Sequence, residues 1–257
     1  GCCRMRIMYN NKVDDVGTAV ITASSEETNF DAPRVQDERL SVAWRSTSAG
    51  GLEWVKLDAG AGTTITVDTA AVLGHNLTST AVVLIEGNAT DAWGSATVSE
   101  AITFRAGAMI KFITSASRRF WRFSFTDTGI TSGYVEIGRL FLGTYLQVRP
   151  SSFFDSIPFR HDRTDRFAYS QGGQLYADKG VQQVAVAYNF PNTTNAQKAL
   201  METMWNDIGM HTPMIFSNYD TEFTAVGPIY AHINRPMTFD RVPGDKWRFS
   251  LDVKEVK

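Results

Sequence analysis

The fold is decided by the stretch from Ala23 to Asp58, which reads A-S-S, then A-P-R-V-Q-D, then W-R-S, and ends in L-E-W-V-K-L-D. A strand of small residues leads there into a polar loop, a Trp44-Arg45 turn and an alternating strand. Far downstream, R-R-F-W-R-F at 118–123 is followed by Y-V-E-I-G-R-L-F-L-G at 134–143. Because alternating apolar and polar residues are typical of half-buried strands, these stretches predict a β-sheet protein.

Short strands at jelly-roll spacing fill the first half of the chain, where almost nothing has the periodicity of a helix. The predicted strands are 18–24, 52–57, 63–67, 81–86, 101–105, 109–114, 120–126 and 135–142. We therefore predict a jelly-roll β-sandwich over residues 13–146. Residues 1–12 are expected to form a disordered leader.

The pattern changes near Pro150-Ser151-Ser152, where we place a linker to a second domain over residues 147–257. The predicted strands of this domain are 167–169, 174–177, 181–190, 214–216, 221–226, 229–233, 237–241 and 246–254. The first two flank Gly172-Gly173 and have the pattern of a hairpin. The sequence thus predicts an all-β protein whose second domain is a β-sandwich or barrel with one helix.

The predicted helix covers residues 194–208. Thr194 and Gln197 have the spacing of a capping box, and Gly209 is a typical helix stop. Large apolar residues recur every four positions, and we expect this stripe to pack on the sheet; its members are Leu200, Met204 and Ile208. The opposite face, with Glu202 and Trp205, is expected to lie near a neighbouring subunit.

Composition excludes several classes of protein. The formal net charge is −2 and neither half is basic, which argues against nucleic-acid binding. No apolar run approaches the roughly 20 residues needed to span a bilayer, and no signal peptide is recognisable, so we expect a soluble protein without membrane insertion. Cys2 and Cys3 are adjacent and have no partner elsewhere, which favours folding in a reducing cytoplasm.

No pattern of catalytic or metal-binding residues emerges. His161-Asp162 and Asp165 lack further ligands at fixed spacing, and the other histidines are isolated at His75, His211 and His232. There is no nucleophile elbow, and Gly60-Ala61-Gly62 leads into a strand instead of a helix. We expect no enzyme activity and no catalytic, cofactor-binding or metal residues. The charged run 160–166 is interpreted as a solvated or interface loop.

Residues 18–146 resemble the discoidin, or coagulation-factor C-type, domain, a galactose-binding-like jelly roll, in the motifs quoted from 23–58 and 118–143. The resemblance implies binding and adhesion instead of catalysis. It also implies core packing for Trp44 and a structural role for Trp93. The family often holds calcium in the loop after its first strand, which here contains Asn29, Asp31 and Asp37. Asp37-Glu38 replaces the family's D-G pair, so we expect no calcium.

Residues 155–257 resemble minor and distal tail proteins of long-tailed phages, in R-F-A-Y-S-Q-G-G-Q-L-Y at 166–176, the strand and helix at 181–208, and the closing W-R-F-S-L-D-V-K-E-V. This resemblance implies a virion protein, made in the host cytoplasm, that joins tail tube and tip by forming a ring. Its partners would be other copies of itself, other tail or baseplate proteins, and a host surface glycan. Candidate ring contacts are the 160–166 loop and the 167–177 hairpin. The alternative is a free carbohydrate-binding module of a glycan-acting system.

Overall fold

The structure is a computed structural model that describes residues 5–15, 20–148, 159–163, 165–217 and 227–257. The chain divides into two compact units. One, here the jelly-roll unit, comprises residues 6–147 and 216–228. The other, the helix-bearing unit, comprises residues 1–5, 148–215 and 229–257. The described residues are mostly strands, with one α-helix, so the predicted fold class, all-β with one helix, is confirmed.

The jelly-roll unit contains ten strands among its described residues. They are β1 (Met5–Asn11), β2 (Val20–Ala23), β3 (Trp44–Arg45), β4 (Glu53–Asp58), β5 (Ile65–His75), β6 (Val82–Asn88), β7 (Val98–Ile102), β8 (Met109–Arg118), β9 (Phe120–Thr126) and β10 (Glu136–Val148). One sheet has the order β1-β10-β5-β8, with β3 also paired to β10. The other has the order β2-β4-β9-β6-β7. The pairs β3–β10, β5–β10, β2–β4, β4–β9, β5–β8, β6–β7 and β6–β9 are antiparallel, as in a jelly roll.

A single apolar core joins the two sheets of the jelly-roll unit. Val55 and Leu57 point into it from one sheet, and Leu140 and Leu142 from the other. This follows from the period of two along each strand, which sends alternate side chains to the same side. Packing against Trp121 requires glycine at position 87, because a Cβ there would lie 2.7 Å from the indole ring.

The helix-bearing unit contains eight described strands and the helix α1 (Asn195–Ile208). The strands are β11 (Phe159–Arg163), β12 (Arg166–Tyr169), β13 (Leu175–Asp178), β14 (Gln182–Thr193), β15 (Met214–Ser217), β16 (Ile229–Ile233), β17 (Asp240–Val242) and β18 (Lys246–Glu255). The main sheet has the order β11-β14-β18-β16-β15, with β17 on β18, whereas β12 and β13 form a separate two-stranded sheet. Thr194 caps α1 through the predicted capping box with Gln197.

Several expectations need correction. The predicted disordered leader is instead ordered from residue 5, because β1 pairs within the sheet and buries Met5, Ile7 and Met8. The charged run 160–166 is mostly strand instead of loop: β11 pairs with β14, and β12 begins at Arg166. The strand predicted at 101–105 lies earlier, at Val98–Ile102.

The buried face of α1 also differs from the prediction. Leu200 is 49% exposed, whereas Met201, Met204 and Ile208 are buried. At about 100° per residue, Met204 and Ile208 lie within about 60° of Met201 around the helix, whereas Leu200 lies about 100° from Met201, at the edge of the buried face. The predicted strand 221–226 lies outside the described residues, as do Cys2 and Cys3. Among the described helices, none is long and apolar enough to cross a membrane.

Candidate binding site

The residues with catalytic or metal-binding potential lie apart from one another. His161 Nδ1 is hydrogen-bonded to Gln182 Nε2 at 3.0 Å. His75 Nε2 lies 3.0 Å and 2.9 Å from the carbonyl oxygens of Arg105 and Gly107, and burial lowers the pKa of His75. Within the described ranges, no three His, Cys, Asp or Glu side chains are grouped as metal ligands would be.

The loop that the discoidin resemblance connects with calcium holds its carboxylates in ion pairs. Asp31 Oδ1 accepts from Arg34 Nε at 3.0 Å, and Asp37 accepts two hydrogen bonds from the Arg39 side chain and one from its backbone N. The hydrogen bond from Arg39 is the main reason why the pKa of Asp37 falls to about 2. These carboxylates therefore hold the loop together through arginines.

A cluster of aromatic and charged side chains lies where the chain passes from loops into β3 and β10; its members are Glu27, Phe30, Arg45, Tyr134 and Glu136. We call it the Arg45 cluster. The Cζ atom of Arg45 lies 3.9 Å from the ring centre of Phe30 and 4.7 Å from that of Tyr134. Its Nε donates to Glu136 Oε2 at 2.5 Å. All five side chains are partly exposed.

Strand register positions the charged pair at the centre of this cluster. On β3 and β10, Arg45 is directly opposite Glu136, and Trp44 is directly opposite Ile137. Because successive side chains point to opposite faces, burial of Trp44 in the core turns Arg45 outward. Trp44 is fixed in turn by its Nε1, which donates to the Ser25 carbonyl at 3.0 Å.

Backbone and side-chain hydrogen bonds hold the two aromatic residues in place. Arg45 N donates to the Phe30 carbonyl at 3.1 Å. The Asn76 side chain donates to the Tyr134 carbonyl at 2.9 Å and accepts from Glu136 N at 2.8 Å. The site is therefore built on a framework of strands and fixed loops, so a ligand would not have to order it.

The cluster carries a net charge of −1, from one arginine and two glutamates. Although burial opposes it, the hydrogen bond with Glu136 and its negative charge raise the pKa of Arg45. Glu27 Oε2 lies 3.9 Å from Arg45 Nη1, and this buried oxygen makes no hydrogen bond in the described structure. The site thus combines planar N–H donors, a partly exposed carboxylate and two aromatic rings.

A second aromatic and charged surface lies on the outer face of the sheet β2-β4-β9-β6-β7. The Cζ atom of Arg122 lies 4.4 Å from the ring centre of Trp93, and its Nη2 lies 2.7 Å from Glu86. Asp91 accepts from Lys56 Nζ at 2.5 Å and from Trp93 Nε1 at 2.7 Å. Since these groups are paired with one another, the surface offers a ligand fewer available partners than the Arg45 cluster does.

No local pattern in the sequence indicates the Arg45 cluster. Glu27 and Phe30 lie more than a hundred positions from Tyr134 and Glu136, in segments of different pattern. The W-R pair at 44–45 predicts a core tryptophan but does not by itself indicate a role for the arginine beside it. Alternation at that pair is the signal that could have identified an outward arginine next to a buried ring.

When the chain is compared with known proteins, only solved structures are found to be similar to it. No family model matches the chain, and no curated protein matches it. A mutant of chitosan-binding module 1 from a Paenibacillus sp. IK-5 chitosanase/glucanase is 19% identical, with a TM-score of 0.41, covering 54% of this chain and 99% of the module. The family 32 carbohydrate-binding module of C. perfringens NanJ, solved with galactose, is 13% identical, with a TM-score of 0.41. The match covers 55% of this chain and 99% of that module. Over about half its length, the chain is thus similar to small carbohydrate-binding modules.

Proposed function

We propose that the protein is a non-catalytic binding protein whose jelly-roll unit binds a glycan at the Arg45 cluster. The observation that carries this proposal is the position of Arg45 between Phe30 and Tyr134, beside a buried Glu27 oxygen that has no hydrogen-bond partner. Sugar rings present apolar C–H faces and a rim of hydroxyls. A partly apolar site with a few fixed polar groups suits both features.

The charge of the cluster favours a neutral or amino sugar over an acidic one. Two carboxylates flank a single guanidinium, so a uronic acid or a sulfated sugar would meet net repulsion. A neutral hydroxyl can donate to the carboxylate of Glu27, whose side chain is 44% exposed, and accept from the Arg45 amino groups. The ammonium group of an amino sugar could also donate to Glu27, and its charge would be complementary.

Binding to a panel of immobilised neutral, amino and acidic glycans, followed by calorimetric titration with any sugar retained, tests this proposal. Arg45→Lys keeps the charge but loses the planar fork of donors. Because hydrogen bonds to charged groups contribute about 1.5–3 kcal/mol, we expect the affinity to fall by roughly ten- to a hundredfold. Arg39→Lys is the matched control, since Arg39 lies in the same loop region and is largely exposed.

Equal losses in the Arg45→Lys and Arg39→Lys proteins would contradict the assignment of the site, and so would retention of acidic glycans only. Absence of binding across the whole panel would contradict glycan binding itself. Circular dichroism and thermal unfolding of each variant should match the wild-type protein, because neither arginine side chain lies in the core.

A second candidate function, assembly into a larger structure, is favoured by one observation. The β12–β13 hairpin exposes several large apolar side chains, a feature that marks protein contact surfaces. We infer that assembly through this hairpin would suit the phage-tail role that the sequence resemblance implies. The ring, the tail and baseplate partners and the virion location remain proposals. Electron microscopy of purified protein for closed rings, with and without tail lysate, tests them.

A further inference from the structure

The β12–β13 hairpin has two faces of different chemistry. Cross-strand partners share a face, so the register places Phe167 with Ala177 and Tyr169 with Leu175 on one side. These four residues, here the apolar face, carry no charge. The other side carries Ala168 with Tyr176 and, at the base, Arg166 directly opposite Asp178.

The apolar face is open to solvent in the chain as a monomer. Phe167 is 64% exposed, Tyr169 73% and Leu175 50%. Among the described strands, β12 and β13 pair only with each other. Because a lone two-stranded hairpin is marginally stable in water, a hairpin with an uncovered apolar face is stabilised by a partner that covers it.

We propose that the partner is a second copy of this chain, whose own apolar face packs against the first about a two-fold axis. An apolar face needs no opposite charge in its partner, so it is complementary to itself, as a two-fold contact requires. Because Arg166 lies directly opposite Asp178, the strand charges cancel and two identical hairpins do not repel each other.

The same charges argue against a lipid surface as the occupant. Hairpins and helices that bind membranes by an apolar face also carry basic residues that attract anionic headgroups. Here the arginine at the base of the hairpin is matched by an aspartate across the strand pair.

The size of the apolar face predicts a weak dimer. Each aromatic side chain buries roughly 150–250 Å². Because Phe167 is 64% and Tyr169 73% exposed, these side chains of two copies would together bury about 400–700 Å², below the roughly 1,200 Å² at which stable specific interfaces begin. We expect a monomer–dimer equilibrium that depends on protein concentration. This inference is independent of glycan binding. It concerns the same hairpin as the assembly function, but a two-fold contact closes at the dimer and is therefore an alternative to a ring through this hairpin.

Sedimentation velocity over a wide range of concentrations, on the full chain, tests the inference. We expect Tyr169→Ser to raise the dimer dissociation constant at least tenfold. Tyr176→Ser is the matched control, since Tyr176 is 56% exposed on the opposite face of the same hairpin, and it should change the constant less than twofold.

A charge exchange distinguishes a two-fold contact from docking onto a different surface. Leu175→Arg and Leu175→Glu should each give monomers, because each substitution places like charges in both halves of the contact. An equimolar mixture of the two variants should form dimers again. If the hairpin instead docked elsewhere, on another protein or another part of the chain, mixing would restore nothing.

A wild-type chain that stays monomeric at every concentration would overturn the proposal, as would equal effects of Tyr169→Ser and Tyr176→Ser. Circular dichroism identifies any variant that fails to fold, and Phe167→Ser then replaces it. Glycan binding by the monomeric variants should equal that of the wild type, so failure of the dimer and failure of the glycan site are separate results.

Discussion

At the scale of single residues, arginines in this chain pair with carboxylates from distant segments. Arg45 connects a loop residue, Glu27, with Glu136 at the start of β10. Arg139, also on β10, is buried and donates to Asp14 Oδ2 at 2.6 Å and to the Gln36 carbonyl at 2.6 Å. Each arginine therefore joins parts of the chain that lie far apart in sequence.

Asp14 should make stability depend on pH. Burial raises its pKa to about 6, although the charge and hydrogen bond of Arg139 oppose this. A carboxyl group with a raised pKa in the folded state stabilises the fold most below its unfolded pKa of 3.8, and this contribution is lost as the pH rises through about 6. The variant Asp14→Asn should therefore gain stability relative to the wild type between about pH 4 and pH 6.

Urea unfolding at half-unit steps from pH 4.5 to 7.5 measures this difference. Asp37→Asn is the control, because the hydrogen bond from Arg39 lowers the pKa of Asp37 to about 2 and its titration lies below the range. A difference between Asp14→Asn and the wild type that stays constant across the range would show that Asp14 has no raised pKa in the folded protein.

At the scale of elements, α1 shows that neighbouring apolar residues on a helix can differ in burial and therefore in their contribution to stability. Met201 is fully buried and lies beside Phe190 and Phe249, whose rings stack with their centres 4.3 Å apart. Leu200, one position earlier, is half exposed. Since each residue advances about 100° around a helix, adjacent side chains point in very different directions.

The two residues should therefore respond differently to truncation. We expect Met201→Ala to lower the free energy of unfolding by about 2–5 kcal/mol, because it leaves a cavity in a packed core. Leu200→Ala should change it by less than about 0.5 kcal/mol, as exposed substitutions usually do. Chemical denaturation of both variants measures this, and a larger loss for Leu200→Ala would show that α1 buries the face predicted from its sequence.

At the scale of the whole molecule, the division of the chain is discontinuous. The segment 216–228 belongs with the jelly-roll unit although it follows the helix in sequence. Gly227 illustrates this, since a Cβ on it would lie 2.5 Å from the Arg105 guanidinium. The predicted contiguous domains, 13–146 and 147–257, differ from these units in that segment, and their independence as folding domains stays a prediction.

Limited proteolysis should reflect both the predicted linker and the discontinuous division of the chain. We expect cleavage between about residues 144 and 156, since linkers with Pro150-Ser151-Ser152 composition are preferred nicking sites. Because the fragment after the cut retains residues 216–228 of the jelly-roll unit, the two pieces should elute together on native gel filtration and separate only in denaturant. Resistance to cleavage in this range, or fragments that separate without denaturant, would contradict this expectation.

The sequence alone determined what depends on neighbours along the chain. Alternation located the predicted strands 52–57, 120–126 and 246–254 to within a few positions, and the capping box located the start of α1. These features are local, because a strand alternates every two residues and a helix cap spans four.

Only the tertiary structure decided which distant residues meet. It brought Phe30, Arg45 and Tyr134 together, and it buried Met201 while leaving Leu200 half exposed. It also ordered β1 by pairing it with a strand more than a hundred residues later. Each of these outcomes depends on strand pairing and packing between segments far apart in the chain, and no local pattern records which segments will be neighbours.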